Sequence, residues 1–320
     1  MLPASLAWRE KCNAGASTGA TIRFGVDPRA RIRGAPRRVA NIATRREGAQ
    51  HQGCPNKRMT PILVFDIETV PDIAGLRRAQ GVASGVSDAA VLVWFTQKRR
   101  AQTGNDFLPL QYQRVVAIAC ALRENAVFKI ASVGTADDTE PELIRRFFDL
   151  IDKHTPQLVS WNGGGFDLPV LNYRALIHGV TAAKFWDWGD DDREFKYNSY
   201  LGRYHTRHLD LMDVLAMYQP RAAAGLDAMA RLCGFPGKLG MDGSEVHAAI
   251  LAGEQDAVRR YCETDVMNTY LIYQRFRLLR GELAAGEYAR EVSLAREKIA
   301  AINAPHWHEF IAAWDANAVG

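Results

Sequence analysis

Apolar and polar residues alternate along this chain with two different periods, and the pattern predicts strands interleaved with helices. The first continuous apolar run, residues 62–65, ends at Asp66 and is typical of a strand buried on both faces. Two further apolar runs, residues 115–122 and 126–130, predict two strands joined by a short turn. Residues 157–161 predict another strand that follows a proline break.

Helical periodicity occupies the segments between and after these strands. Predicted helices begin after the capping residue Ser87, after the capping residue Thr139, at Leu168 and at Leu211, and residues 225–282 look helical apart from an interruption at 234–243. A short strand is expected at residues 208–210. Strands that alternate with amphipathic helices predict an α/β sheet, mostly parallel. The basic run 98–100 is either a solvated helix end or a contact for a substrate backbone.

Charge is distributed unevenly along the 320 residues. Residues 1–58 hold 12 Lys or Arg and 3 Asp or Glu, which gives a net charge of +9. Because the whole chain carries only +4, the remainder carries −5. The basic character therefore belongs to the N-terminal segment and does not indicate that the folded body binds nucleic acid through its overall charge.

Residues 1–58 are rich in Arg, Ala and Gly and show no sustained period, so we expect a disordered or non-native extension. Met59 stands just before the first strand, and we expect it to be the translation start. An organelle transit peptide and a basic arm that touches phosphates are the alternatives. We then expect one folded domain over residues 59–282 and a C-terminal helix and tail over residues 283–320.

The cysteine pattern and the hydropathy of the chain indicate the cellular compartment of the protein. The five cysteines are scattered without Cys-x-x-Cys spacing, which argues against a disulfide framework or a zinc site and fits a reducing compartment. No apolar run approaches the roughly 18 to 20 residues that span a bilayer. We therefore expect a cytoplasmic location and no membrane partner.

Two acids follow the first predicted strand directly. Asp66 and Glu68 are two residues apart, so both side chains project to the same side of the strand. Two carboxylates beside a core repel each other unless a cation lies between them, and hard divalent cations prefer such oxygen ligands. The alternative is that the strand simply ends here and its acids face water.

A third acid follows a glycine-rich loop. The strand at 157–161 continues into residues 162–167, where Asn162 and three glycines precede Phe166 and Asp167. Asp167 is either an ordinary helix N-cap or a further ligand. A phosphate cradle is also conceivable for such glycines, but the Lys-Ser/Thr ending of a P-loop is missing. The three glycines make this loop look flexible.

The last part of the predicted helical region 225–282 carries Tyr261 and Asp265, which are four residues apart and share one helix face.

Between Asp167 and this helix, residues 183–204 alternate aromatic and charged residues. They either supply base-stacking surfaces or form a partly buried hairpin. His205 and His208 are three apart without a nearby cysteine, so we interpret them as structural.

The order of these acids resembles a known pattern. Over residues 61–280, Asp66-Ile67-Glu68-Thr69, then Asn162 with Phe166-Asp167, then Tyr261 with Asp265 resemble the three motifs of the ribonuclease-H-like 3′→5′ exonuclease superfamily, in its tyrosine (DEDDy) branch. The second motif is most similar to the proofreading domains of B-family DNA polymerases and their stand-alone relatives. The resemblance implies a central mixed five-stranded sheet flanked by helices, with a helical C-terminal part.

The resemblance also implies the chemistry and the roles. Asp66, Glu68, Asp167 and Asp265 would hold two divalent ions, Mg²⁺ or Mn²⁺, for phosphodiester hydrolysis. Tyr261 would orient the attacking water, since a phenol is a poor base near neutral pH. The remaining motif residues that would support the substrate are Thr69, Asn162 and Phe166. The expected activity is release of nucleoside 5′-monophosphates from the 3′ end of single-stranded DNA.

Three alternatives remain at this stage. The same motifs fit a 3′→5′ exoribonuclease, or a catalytically silent nucleic-acid-binding module on the same fold. An aspartate phosphatase of the haloacid dehalogenase type would need Asp in place of Glu68. The motifs leave open proofreading in trans, repair or RNA trimming, and they name no repair or replication protein as partner.

Overall fold

The computed structural model describes residues 60–317, and the expectations for residues 1–58 and for Met59 lie outside this range. Its strands are β1 (Ile62–Pro71), β2 (Gln113–Glu124), β3 (Val127–Ser132), β4 (Gln157–Ser160) and β5 (His208–Asp210). Its α-helices are α1 (Ile73–Gln80), α2 (Asp88–Thr103), α3 (Glu140–His154), α4 (Asp167–His178), α5 (Leu211–Leu215), α6 (Leu226–Leu232), α7 (Val246–Leu251), α8 (Gln255–Leu279), α9 (Ala285–Ile302) and α10 (Pro305–Asn317).

The strands form one mixed sheet in the order β3-β2-β1-β4-β5. β1 pairs antiparallel with β2, and β2 pairs antiparallel with β3, whereas β4 and β5 run parallel to β1. The predicted mixed five-stranded sheet with flanking helices is confirmed. The expectation of a mostly parallel sheet is wrong for its first three strands, because the short turn after Glu124 folds β3 back onto β2.

Alternation along β1 divides the core between the two faces of the sheet. Its odd-numbered apolar residues, such as Phe65, pack with α3 and α4, whereas its even-numbered residues, such as Val64, pack with α8. Both faces of β1 are thus covered, which explains its continuous apolar sequence. Asp66 and Glu68 fall in the even-numbered series and therefore face α8.

α8 crosses the sheet and is anchored to three strands by polar contacts. The side-chain amide of Gln255 donates to the carbonyl of Val116 in β2 at 2.6 Å. The thiol of Cys262 donates to the backbone carbonyl of Asp66 in β1 at 3.4 Å. The backbone N–H of Ser132 in β3 donates to Glu263 at 2.8 Å. These contacts fix the position of the helix that carries the third motif.

The C-terminal segment contains two helices, where the pattern indicates one helix and a loose end. α9 is tied to β2 by the ion pair between Arg123 and Glu291 at 2.8 Å. α10 buries Trp307, Phe310 and Trp314 in the same core as α8. Residues 285–317 therefore extend the α8 side of the core, while the proposed division at residue 283 stays a prediction.

The excursion between β1 and β2 holds α1 and α2 and has its own small apolar cluster around Leu76, Val91 and Phe95. As predicted, the Ser87 hydroxyl caps α2 by accepting the N–H of Ala90. Among residues 60–317, no helix is long and apolar enough to cross a membrane.

Candidate metal and active centre

The early end of β4 leaves the second half of β1 without a strand neighbour on that side. β4 pairs with β1 only as far as Val64, whereas β1 continues to Pro71. Beyond this point the backbone N–H of Ile67 donates to the Asp167 carboxylate at 3.1 Å. The Asp167 side chain thus accepts a backbone hydrogen bond where a longer β4 would have paired with β1. This contact brings the start of α4 beside the first motif.

The contact with Ile67 changes the interpretation of Asp167. Phe166 occupies the N-cap position of α4, and Asp167 is its first helical residue. The alternative that Asp167 is an ordinary N-cap is therefore wrong. Burial raises the pKa of Asp167 from its ordinary value of 3.8 to about 7, although N–H donors oppose this rise.

The glycine loop of the second motif is held by hydrogen bonds, in contrast to its expected flexibility. The Asp210 carboxylate in β5 accepts the backbone N–H groups of Asn162 and Gly164, each at 2.9 Å. A β-carbon at Gly163 would lie 2.3 Å from the Ser160 hydroxyl, and one at Gly165 would lie 2.5 Å from the Asn162 side chain. Gly163 is thus required by the close approach of the Ser160 side chain, whereas a side chain at Gly165 would displace only the tip of Asn162.

Asp66 and Glu68 lie side by side on the α8 face, with oxygen atoms within 4.8 Å of each other and of the Cys262 sulfur. Burial raises the pKa of Asp66 well above its ordinary value, and the charges of Asp167, Glu68 and Asp265 add to the effect. Burial also raises the pKa of Glu68, with Asp265 as the next cause. The alternative of a strand end whose acids face water is therefore wrong.

A bulge lies opposite this pair of acids. Glu68 is opposite Ala117 and Thr69 is opposite Val115, so Val116 is the extra residue in β2. Beyond the bulge, the Thr69 hydroxyl donates to the Gln113 side chain at 3.1 Å, and the Gln113 amide donates to the Leu108 carbonyl at 3.2 Å. Thr69 therefore connects the first motif to the segment that precedes β2.

α8 supplies Asp265 and Tyr261 to the same cluster. Both are nearly buried, at 4% exposure each, and one oxygen of Asp265, Oδ1, is buried without a hydrogen-bond partner. Burial raises the pKa of Asp265, although Lys238 opposes the rise. Burial and the charges of Asp265, Glu68 and Asp66 raise the pKa of Tyr261, so Tyr261 stays a neutral phenol.

Lys238 is a cation in this cluster that the sequence motifs do not reveal. Its ammonium nitrogen lies 3.3 Å from Asp265 and donates a hydrogen bond to the Tyr261 hydroxyl. Burial opposes its charge, but Asp265, Asp66 and Glu68 together raise the pKa of Lys238. Lys238 lies in the segment between α6 and α7, where only its basic character and the flanking glycines stand out.

The structure thus brings together all five predicted catalytic residues, Asp66, Glu68, Asp167, Tyr261 and Asp265, and adds Lys238 and Cys262. Burial raises the pKa of the Cys262 thiol as well, so this residue acts as a neutral donor to Asp66. The donor set fits a hard divalent cation, because three of its carboxylates are buried, all four have raised pKa values and Asp265 has an unpartnered oxygen. Only Lys238 faces them from the described residues as a compensating cation.

The other predicted residues and the histidines have identifiable positions. Asn162 and Phe166 flank the glycine loop, with Asn162 in a left-handed conformation. His208 shares a hydrogen bond with Ser160 at 2.8 Å, and burial lowers the pKa of His208 to about 4. His205 accepts the backbone N–H of Ser199 at 2.9 Å. Both histidines have structural partners, as expected.

Comparison with known proteins relates the sequence to a family. Residues 105–314 match the family described as predicted 3′-5′ exonuclease related to the exonuclease domain of PolB. This span includes Asp167, Lys238, Tyr261 and Asp265 and begins after the first motif.

Curated relatives and a solved structure are similar over part of their length. The chain is 27% identical over 145 residues to a DNA polymerase epsilon catalytic subunit from Schizosaccharomyces pombe, covering 43% of this chain and 6% of that protein. It is 25% identical over 159 residues to a DNA polymerase epsilon catalytic subunit from Arabidopsis thaliana, covering 47% and 7%. A family B DNA polymerase structure from the archaeon Pyrobaculum calidifontis gives a TM-score of 0.42 at 18% identity, covering 71% of this chain and 25% of that one.

Proposed function

We propose that this chain, which belongs to the family of predicted 3′-5′ exonucleases related to the exonuclease domain of PolB, hydrolyses single-stranded DNA from its 3′ end with the help of divalent metal ions. The observation that carries the proposal is the convergence of four carboxylates from β1, α4 and α8, of which Glu68, Asp167 and Asp265 are buried and Asp66 is partly exposed. Such a concentration of like charge is unfavourable without cations. Its product would be a nucleoside 5′-monophosphate.

Asp66, Glu68, Asp167 and Asp265 would hold two divalent ions, Mg²⁺ or Mn²⁺. When bound, these ions would supply an activated water and stabilise charge on the leaving oxygen. Hydrogen bonds that orient two of the acids support this role. The backbone N–H of Ile67 donates to Asp167, and the thiol of Cys262 donates to Asp66. Preorganised ligands need little rearrangement when a cation binds.

Tyr261 and Lys238 act together beside these acids. Because the Lys238 ammonium donates to the Tyr261 oxygen, the phenol proton is directed to an acceptor other than Lys238, and the Asp265 carboxylate is one acceptor within its reach. Tyr261 would use this proton to orient the attacking water, and its raised pKa excludes a role as general base near neutral pH. Lys238 would stabilise negative charge that develops on the phosphate.

The direct test is digestion of 5′-labelled oligonucleotides by the full chain with Mg²⁺ or Mn²⁺. We expect a ladder that shortens from the 3′ end of single-stranded DNA, with nucleoside 5′-monophosphates as products. A matched RNA strand tests the exoribonuclease alternative, which faster RNA cleavage would favour. If both strands bind but neither is cleaved with either metal, the chain is a silent binding module and the proposal is wrong.

Metal binding should become more stabilising as pH rises. Asp167 binds its proton more tightly in the folded state, so the stability that this carboxylate contributes is fully present below pH 3.8 and is lost as pH rises to about 7. A divalent ion replaces that proton, and at a concentration of 100 Kd it adds about 2.7 kcal/mol of stability. We therefore expect the Mn²⁺-induced rise in Tm to be small at pH 5 and large at pH 8.

Thermal unfolding in EDTA and in Mn²⁺ across this pH range measures the effect. Asp149→Asn alters an exposed acid of α3 and serves as the control, because it should leave the pH dependence unchanged. A metal-induced shift of equal size at pH 5 and pH 8 would contradict the assignment of these acids as metal ligands.

A further inference from the structure

An exposed aromatic ring stands next to the second motif and is not used by the chemistry described above. Phe107 is 51% exposed, and its ring lies 6.1 Å from the ring of Phe166, at an interplanar angle of 56°. Phe166 directly precedes Asp167 in the chain. A large apolar side chain is therefore displayed to solvent at the edge of the carboxylate cluster.

The segment that carries Phe107 is held in place from both sides. Its carbonyl accepts the Arg99 guanidinium at 2.5 Å, and its N–H donates to the Asn105 side chain at 2.9 Å. The next residue, Leu108, is buried, and its carbonyl accepts the Gln113 amide, whose oxygen accepts the Thr69 hydroxyl. The segment that carries the ring is thus connected to the first motif through Gln113 and Thr69. The ring itself contacts the second motif through Phe166.

The charge around the ring is complementary to a polyanion. Lys98, Arg99 and Arg100 lie near the C-terminal end of α2, where Arg99 binds the carbonyl of Phe107 and Arg100 pairs with Asp106, the nearby acid. The folded body is otherwise acidic, so this is a local basic surface near an acidic centre. Proteins that bind single strands without sequence preference combine aromatic rings, on which the bases stack, with basic side chains that contact the phosphates.

On this basis, and resting on the proposed function, we propose that Phe107 and Phe166 form a base-stacking surface for a nucleotide near the 3′ end of the bound single strand. The basic end of α2 lies beside the phosphates of that strand. The excursion between β1 and β2 is then a substrate-binding element of this chain. Stacking uses the π-face common to every base, so the surface holds DNA and RNA strands without sequence preference.

The test is binding of a 12-residue, 5′-fluorescein oligothymidylate, measured by anisotropy with the full chain in an Asp66→Asn background. Phe107→Ala should weaken binding by on the order of tenfold, whereas Phe107→Trp should retain it. Trp188→Ala removes an exposed ring from residues 183–204 and tests the rival stacking surface. Loss of binding with Trp188→Ala and none with Phe107→Ala would overturn the proposal.

Oligonucleotides that lack one base in turn at each of the last three 3′ positions separate stacking from a structural effect. At the contacted position, base removal should weaken binding to the Phe107 protein about tenfold and have little effect on Phe107→Ala, because the two changes remove the same contact. Additive losses at all three positions would show that Phe107 only supports Phe166, and would overturn the proposal. Because binding is measured without cleavage, an inactive wild-type protein would refute the proposed function and leave this result interpretable.

Discussion

Asp66→Asn is expected to reduce 3′→5′ hydrolysis by on the order of a thousandfold or more, because metal-based charge stabilisation contributes several kcal/mol at the transition state. Asp66 is the acid whose pKa responds to all three other carboxylates, so it lies at the electrostatic centre of the cluster. The substitution preserves the size of the side chain, removes its charge and replaces one acceptor oxygen with an NH2 donor. The measurement is the rate of 3′ shortening of labelled DNA at saturating Mn²⁺.

Stability distinguishes this loss from misfolding. Asp66→Asn removes one of several buried like charges, so the metal-free protein should unfold at the same temperature as the wild type or at a higher one. Asp149→Asn, the matched change at an exposed position, should leave the hydrolysis rate unaltered. The prediction is wrong if Asp66→Asn retains more than about a tenth of the wild-type rate, since that is far less than the expected loss.

Arg174→Met should destabilise the protein by about 3 to 5 kcal/mol, because it leaves buried acids without their cation. The Arg174 guanidinium is 2% exposed and binds Asp72 at 2.6 Å and Glu140 at 2.5 Å and 2.7 Å. Glu140 also accepts the N–H of Val115 at the start of β2. The cluster therefore fastens α4, two turns after Asp167, to the N-cap of α1 directly after β1 and to the start of α3.

Denaturant titration measures this loss, and two variants sharpen it. Arg145→Met removes an exposed partner of Asp149 on α3, so it should change the free energy of unfolding by less than about 1 kcal/mol. Adding Glu140→Gln to Arg174→Met should recover part of the loss, because it removes a stranded charge and keeps the oxygen that accepts the Val115 N–H. Equal losses for Arg174→Met and Arg145→Met would show that the buried pairs contribute nothing beyond surface pairs.

The sequence was sufficient to identify the elements that have strong periodicity. β1 could be recognised because both of its faces are buried, and the two-residue spacing then placed Asp66 and Glu68 on one side. The family expected from the three motifs is confirmed by the match over residues 105–314. The roles of the individual site residues stay predictions.

Contacts between residues far apart in the chain were not accessible from the sequence. The pattern places the end of β4 within one residue, but the hydrogen bond from Ile67 to Asp167 joins residues 100 positions apart, and no local pattern shows that this side chain meets β1 there. The hairpin of β2 and β3 could have been assigned as antiparallel, because so short a turn cannot hold a parallel crossover. Lys238 lies in an irregular segment without periodicity, so only its position in three dimensions connects it to Asp265.

Lys238 changes the net charge that the acid cluster would have once divalent ions are bound. Four ionised carboxylates would be balanced by two divalent ions, which would leave nothing to attract a further anion. With the lysine charge added, the same arrangement would have one positive charge in surplus. Under the proposed function, a single phosphodiester group would supply the one negative charge that closes this balance, and the substrate itself would then be the last counterion of the site.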